Sequence, residues 1–167
     1  LGWTPERIVA LREAALVHDV GKIGVPDSVL SKAGQLDDAE RAIMQTHPAL
    51  GAQIVRDVLS DEQTLWVRHH HERWDGRGYP DQIIGEDIPT GALILAVADS
   101  WDAMTANRPY RSALAAERAL QILSDGSGTQ WWPDAITVAI DLFDDEMLVA
   151  SITGHTDATS YGGGALY

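Results

Sequence analysis

The sequence predicts an all-α fold, a bundle of about six to eight helices interrupted by one long loop. Three observations carry that prediction. Helix-start signals recur along the chain. Apolar residues follow them at helical spacing. Strand-like alternation is nowhere convincing.

Thr4-Pro5-Glu6 is the first helix start, with a hydroxyl N-cap, a proline in the first turn and an acid at the positive end. Ile8, Leu11, Ala15 and His18 then share one face, and Gly21 and Gly24 are expected to end the helix before Val25-Pro26. Asp37 with Glu40 has capping-box spacing, for a helix running to about Thr46. Pro48 interrupts the pattern, and a further helix carries Leu50, Ile54, Val55 and Val58. Ser60 with Gln63 repeats the capping box and opens a helix predicted to run through the histidines to about Arg73. Residues 75–88 are rich in glycine and proline and read as a loop of functional length. Pro89 starts the next helix, to about Ala106, and residues 113–124 and 133–143 complete the set. Domain organisation is then one domain over 1–150, followed by a polar, glycine-rich tail, 151–167, expected to be weakly ordered.

Composition narrows the chemistry. At 167 residues the chain is one domain's worth, with 45% hydrophobic and 22% charged residues. Cysteine is absent, so a metal site must use His, Asp and Glu, which favours Zn, Mn or Fe over an iron–sulfur cluster. The formal net charge of -13 argues against binding a DNA or RNA polymer through a basic surface. A small phosphorylated ligand stays compatible, since local arginines or a metal reverse the field inside a cleft. The longest apolar run, "ALILAVA" at 92–98, is too short to insert in a bilayer, and no signal peptide is visible. Because the first residue is Leu1, the sequence reads as a piece of a longer chain.

Four groups of potential ligands punctuate the helices: His18-Asp19, His47, His70-His71 and Asp99. His18 alone would read as a hydrogen-bonded core histidine, but Asp19 beside it has little polar company, and a buried carboxylate without a partner is costly. A metal would satisfy both. His47 alone reads as an N-cap before Pro48. His70 and His71 are consecutive, so on a helix they diverge by about 100°, and a cluster of more than one ion is the natural way to use both. Asp99 interrupts an apolar helix, sharing a face with Leu95 and Asp102. Hard and borderline ligands converging from separate helices are how helical bundles hold paired metals. Paired cations lower the pKa of a water and clamp the oxygens of a phosphodiester. Lys22 and the run Arg108-Pro109-Tyr110-Arg111 offer positive charge to phosphate oxygens.

"HDVGKIGVPD" (18–27), "HPALG" (47–51), "HHERWDGRGYP" (70–80), "ADSWDAMTANRPYR" (98–111) and "GSGTQWWPD" (126–134) together resemble the HD-GYP domains, a bacterial branch of the HD metal-dependent phosphohydrolases. The resemblance covers residues 1–143 in order. It implies an HD-type helical bundle with a long GYP loop, in the bacterial cytoplasm. It implies hydrolysis of cyclic di-GMP, with pGpG or GMP as the end product, and two or three divalent ions, Fe or Mn. His18, Asp19, His47, His70, His71 and Asp99 match the metal ligands, with Asp19 as the bridging carboxylate and, with Lys22, as the catalytic pair. Lys22, Arg108 and Arg111 look like phosphate contacts. Tyr79 offers a stacking face, while His69 is extra to the pattern. The GYP loop resembles a surface for substrate and for diguanylate cyclase partners, and a homodimer is compatible with the family. Two departures stand out. The family's first helix, which carries a further Glu and His, would precede residue 1, and Trp131-Trp132-Pro133 stands where the family has Phe-Asp-Pro. Two other readings compete: a catalytically weak signalling module that binds the nucleotide or a cyclase through residues 75–90, and a phosphohydrolase for another nucleotide such as cyclic GMP-AMP.

Overall fold

The computed structural model describes residues 2–107 and 112–153, with 144–153 as helix backbone only. Among these residues the chain is helical: α1 (Pro5–Val17), a 3-10 turn (Val20–Gly24), α2 (Asp27–Leu30), α3 (Asp38–Met44), α4 (His47–Val55), α5 (Asp61–His69), a second 3-10 turn (Gly85–Asp87), α6 (Thr90–Thr105), α7 (Ala116–Asp125) and α8 (Pro133–Thr153). No strand forms among the described residues, and the one isolated bridge joins Ser127 to Trp131. The all-α prediction holds.

The start signals act as read. The Thr4 side chain accepts from the Arg7 amide, with Pro5 in the first turn of α1. Both capping boxes are complete: Asp37 exchanges bonds with Glu40, and Ser60 with Gln63. Each box satisfies amide donors that a helix N-terminus otherwise leaves free.

Two helix ends differ from expectation. α1 stops at Val17, and His18 to Gly24 turn away. Gly21 lies so close to α4 that a Cβ there would fall 1.9 Å from the His47 carbonyl oxygen and 2.4 Å from the Gly51 nitrogen. The chain therefore tightens into a 3-10 turn that carries Asp19 and Lys22 against α4. α5 stops at His69, not Arg73. The Glu72 amide bonds the His69 carbonyl, and the Tyr79 amide returns to the His71 carbonyl at 3.2 Å. Gly78 permits this, since a Cβ there would meet the Glu72 and Arg73 backbone at 2.4–2.5 Å. α8 runs on to Thr153, past the boundary at 150 that composition suggests, and residues 154–167 lie outside the described residues.

One apolar cluster holds the histidine-bearing segments in place, and a second packs the C-terminal helices on α6. Ala14, Val55, Trp66, Val67 and Leu95 join α1, α4, α5 and α6. The Trp66 indole occupies the space a side chain at Gly91 would need, which locks α5 on α6. A second cluster, around Met104, Leu123, Trp131 and Ile136, joins α6, α7 and α8. Trp131 is part of that core, and its Nε1 donates to Ser100 Oγ at 3.1 Å. Trp132 stacks on Trp74 from the GYP loop, with centroids 6.5 Å apart. The two indoles that depart from the family pattern thus fill structural space.

Candidate metal centre

His18 and His70 come immediately after the ends of α1 and α5, and His47 begins α4 just after α3 has ended. In each, Nδ1 lies 2.7 Å from a backbone carbonyl three residues back: Ala15 for His18, Met44 for His47, Val67 for His70. A carbonyl only accepts, so Nδ1 carries the proton and Nε2 is left with a lone pair. All three Nε2 atoms are buried without a hydrogen-bond partner, and so is Asp19 Oδ1. Unsatisfied buried polar atoms are rare and costly, and here they face one another.

Asp19 stands at the centre. Its Oδ1 lies 3.2 Å from His47 Nε2 and 3.9 Å from His70 Nε2. Its Oδ2 lies 3.5 Å from His18 Nε2 and 2.5 Å from Lys22 Nζ. His71 joins with its ring centroid 4.1 Å from that of His70 and 5.0 Å from that of His47. One ligand atom each from Asp19, His47, His70 and His71 lies within 4.8 Å of the others. Asp99 enters from α6, with Oδ1 3.8 Å from His18 Nε2. Beside it a pocket of about 180 Å³ is lined by His18, Asp99 and Asp102 over an apolar floor of Ala15, Leu95 and Ala98.

The consecutive histidines correct one step of the sequence reading. Divergence by a helical turn angle does not apply, because α5 has ended and both rings turn to the same side. The pair therefore does not by itself require more than one ion. The case for two rests instead on Asp19, whose oxygens face different donor sets.

Electrostatics suit a cation at this cluster. Burial pushes His70 down to about 4, helped by neighbouring His18 and His47, so its imidazole is neutral at pH 7. Burial, with His70 and His47, pushes His71 down to about 3. Burial works to raise Asp19, yet His47 and Lys22 more than offset it and hold the carboxyl well below its ordinary range. Asp99 is likewise lowered against burial, by His18 and His71. For His18 burial favours the neutral ring, but Asp99, the Ala15 carbonyl and Asp19 together raise it. The two carboxylates thus favour positive charge at this point of the site. The buried lone pairs, the nitrogen and oxygen donor types and the two ionised carboxylates fit a borderline divalent metal.

Lys22, named as a phosphate contact, sits on Asp19. Tyr79 stacks on His71, with centroids 4.9 Å apart and planes 29° apart. Arg108 and Arg111 lie outside the described residues. Sequence reasoning missed a second group that borders the site. Arg68 Nε and Nη2 donate to both Asp81 oxygens at 2.6 and 2.8 Å, and His69 Nε2 lies 2.9 Å from Asp81 Oδ2. Glu72 Oε1 accepts from the Asp81 and Gln82 amides at 2.7 and 2.9 Å. A glutamate directly after two consecutive histidines, before a glycine-rich loop, was the only local signal for it.

A bundle whose helix ends bring His and Asp donors together is an architecture suited to holding divalent metal. A family model described as HD domain matches residues 1–135. The chain belongs to the HD domain family and, with its GYP loop, is a short HD-GYP-like domain. It is 39% identical over 163 residues to a cyclic di-GMP phosphodiesterase of Vibrio cholerae, covering 93% of this chain and 33% of that protein. To a cyclic di-GMP phosphodiesterase of Thermotoga maritima it is 37% identical, covering 85% of this chain and 39% of that protein. To the 3'3'-cGAMP-specific phosphodiesterase 3 of Vibrio cholerae it is 41% identical, covering 81% of this chain and 30% of that protein. The chain spans about a third of the length of these curated relatives. The crystal structure of the V. cholerae cyclic GMP-AMP specific phosphodiesterase V-cGAP3 shares the fold, with a TM-score of 0.66 at 20% identity over 93% of this chain and 42% of that one. Among the described residues no helix is long and apolar enough to cross a membrane.

Proposed function

We propose that this domain is a metal-dependent phosphodiesterase that hydrolyses cyclic di-GMP to pGpG. The observation that carries the reading is the set of buried, unpartnered ligand atoms of His18, Asp19, His47 and His70 facing one another. Curated relatives named for cyclic di-GMP hydrolysis support the substrate. His47, His70, His71 and Asp19 would hold one ion, and His18 and Asp99 with Asp19 would hold a second, with Fe or Mn suited to such nitrogen and oxygen donors. Bound divalent ions supply Lewis-acid stabilisation of phosphoryl oxygens and lower the pKa of water.

The side chains do the rest. Backbone carbonyls fix the protonated nitrogens of His18, His47 and His70, so their free nitrogens are preorganised toward the reaction centre. Lys22 places an ammonium beside Asp19, where it would meet a non-bridging phosphate oxygen. Burial, together with the Asp19 and Asp99 charges, raises the Tyr79 phenol, so it stays protonated and able to donate a hydrogen bond. Its ring also covers His71 on the loop side. Arg108 and Arg111 would add the positive charge that an anionic dinucleotide needs on a chain of net charge -13.

Cyclic GMP-AMP is a second substrate reading, favoured by relatives of comparable identity named for 3'3'-cGAMP. One experiment separates the two. The protein is loaded with Mn²⁺ or, without oxygen, Fe²⁺; its metal content is measured; and products from each nucleotide are resolved by chromatography. Turnover of cyclic di-GMP to pGpG supports the proposal. Turnover of cyclic GMP-AMP alone moves the substrate, and full metal content with no hydrolysis of either overturns the enzymatic reading.

A further inference from the structure

His18, His47 and His70 are each aimed by a carbonyl three residues back. His71 is not. Among the described residues its ring makes no hydrogen bond, and it packs against other rings: those of His47 and His70, and the stacked face of Tyr79. Among these ring contacts, Tyr79 is the partner that comes from outside the ligand cluster, and it lies stacked on the His71 plane.

Tyr79 in turn is held through the next residues of its loop. Two positions on, Asp81 receives two parallel bonds from Arg68 and a third contact from His69. The Asp81 and Gln82 amides both donate to Glu72 Oε1, and Gln82 adopts a positive φ of 55° to do so. Glu72 is 2% exposed, and its other oxygen is buried without a partner. A solvated surface pair holds little, but this arrangement converges five contacts on two loop residues, and two of them end on a buried carboxylate. All three anchors, Arg68, His69 and Glu72, flank the ligand pair His70-His71 in sequence.

We infer that Arg68, His69 and Glu72 form a clasp on Asp81 that positions the metal ligand His71 through the ring of Tyr79. The inference rests on the proposed metal centre, and makes Arg68, His69, Glu72 and Asp81 positioning residues. It assigns the extra histidine, His69, a purpose that the ligand motif does not give it.

The test reads the metal rather than turnover. Co²⁺ is titrated into the full chain and its visible d–d absorption followed, alongside thermal melting and metal content after Mn²⁺ loading. Loss of an outer partner of a metal ligand weakens metal affinity by about 10- to 100-fold. Asp81→Ala and Tyr79→Ala are each expected to fall in that range and to shift the Co²⁺ spectrum in the same way. The double variant should lose little more than either single one, as for residues acting through one path. Tyr79→Phe keeps the ring and should keep affinity and spectrum. Asp81→Ala keeps the bonds from the backbone amides to Glu72 and removes the Arg68 and His69 contacts; Arg68→Ala, which also keeps the His69 contact to Asp81, serves should Asp81→Ala fail to fold, and should shift the spectrum in the same direction. A lowered melting temperature with unchanged Co²⁺ spectrum and affinity would show that the clasp is only structural and overturn the inference. If wild type binds Co²⁺ but hydrolyses neither dinucleotide, the proposed function fails while this test still stands. If wild type binds no metal at all, both fail together.

Discussion

Gly21 offers the sharpest test of how the site is assembled, because it carries no chemistry of its own. A methyl group there would lie 1.9 Å from the His47 carbonyl oxygen, 2.4 Å from the Gly51 nitrogen and 2.9 Å from the His47 carbonyl carbon. All three are backbone atoms, so no side chain can rotate aside. Relief requires the 3-10 turn and α4 to separate by about 1 Å, and overpacking of this kind costs about 1–3 kcal/mol. The backbone obstacle places Gly21→Ala at the upper end, about 3 kcal/mol. For a domain of this size that lowers the melting temperature by roughly 6–12 °C. The same separation pulls Asp19, two residues away, from His47, whose Nε2 is 3.2 Å from its Oδ1. Metal affinity should therefore fall by at least about tenfold, the lower bound for disturbing a ligand's support. Gly34→Ala is the control, since nothing lies within 4 Å of its added methyl, and it should change stability by no more than about 0.5 kcal/mol. Calorimetry of the metal-free proteins and metal content after loading measure both effects. A Gly21→Ala protein with wild-type melting temperature and full metal content would refute the close approach and the assembly argued from it.

The same geometry sets three further outcomes. Asp19→Ala should bring hydrolysis below detection and remove at least one ion while circular dichroism keeps its helical signal; unchanged turnover with full metal content would remove Asp19 from the centre. His18 is raised by Asp99 and Asp19 against burial, so metal binding near neutral pH should release protons, seen in calorimetry as a binding enthalpy that varies with the ionisation enthalpy of the buffer. The metal-free protein should lose stability on acidification: His70 is pushed down to about 4 by burial from about 6.5 unfolded, so between those values the unfolded chain binds the extra proton and stability falls with pH, by about 3 kcal/mol in full. Denaturant titrations at pH 7, 5.5 and 4.5 measure it, and His70→Gln should flatten the dependence.

What was legible in the sequence was local. Thr4-Pro5, Asp37 with Glu40, and Ser60 with Gln63 announce helix starts because their bonds close within one turn. Helix ends were less legible. Apolar spacing continues through the histidines after α5, and the helix is stopped by a loop returning from Gly78 and Tyr79. That contact is not encoded within the helix itself. The same blind spot produced the error over His70 and His71, since the divergence argument assumed a helix that has already unwound. The clasp on Asp81 was invisible for a related reason. Its partners are nine to thirteen residues apart and meet only once the loop has folded back. The sequence alone assigns no role to Trp131 and Trp132 where the family has Phe-Asp; the burial of Trp131 and the stacking of Trp132 on Trp74 show that they answer to packing.

The three carbonyl-bound histidines show why this site sits at helix ends at all. The last turn of a helix leaves carbonyls without intrahelical donors, and it is the negative end of the dipole. Ala15, Met44 and Val67 all lie in the last turn of α1, α3 and α5. A histidine three residues further on reaches such a carbonyl with Nδ1–H. One bond then does two things: it satisfies an orphan acceptor, and it fixes the tautomer that presents Nε2 as a ligand. Three helices ending at one point, each with such a histidine just beyond it, form a ring of aimed lone pairs. Asp19 then needs only a tight turn after α1 to enter that ring, and Gly21 permits the turn. The spacing of these three histidines in the chain is thus the spacing of helix ends, and their part of the candidate metal centre arises from how this sequence terminates its helices.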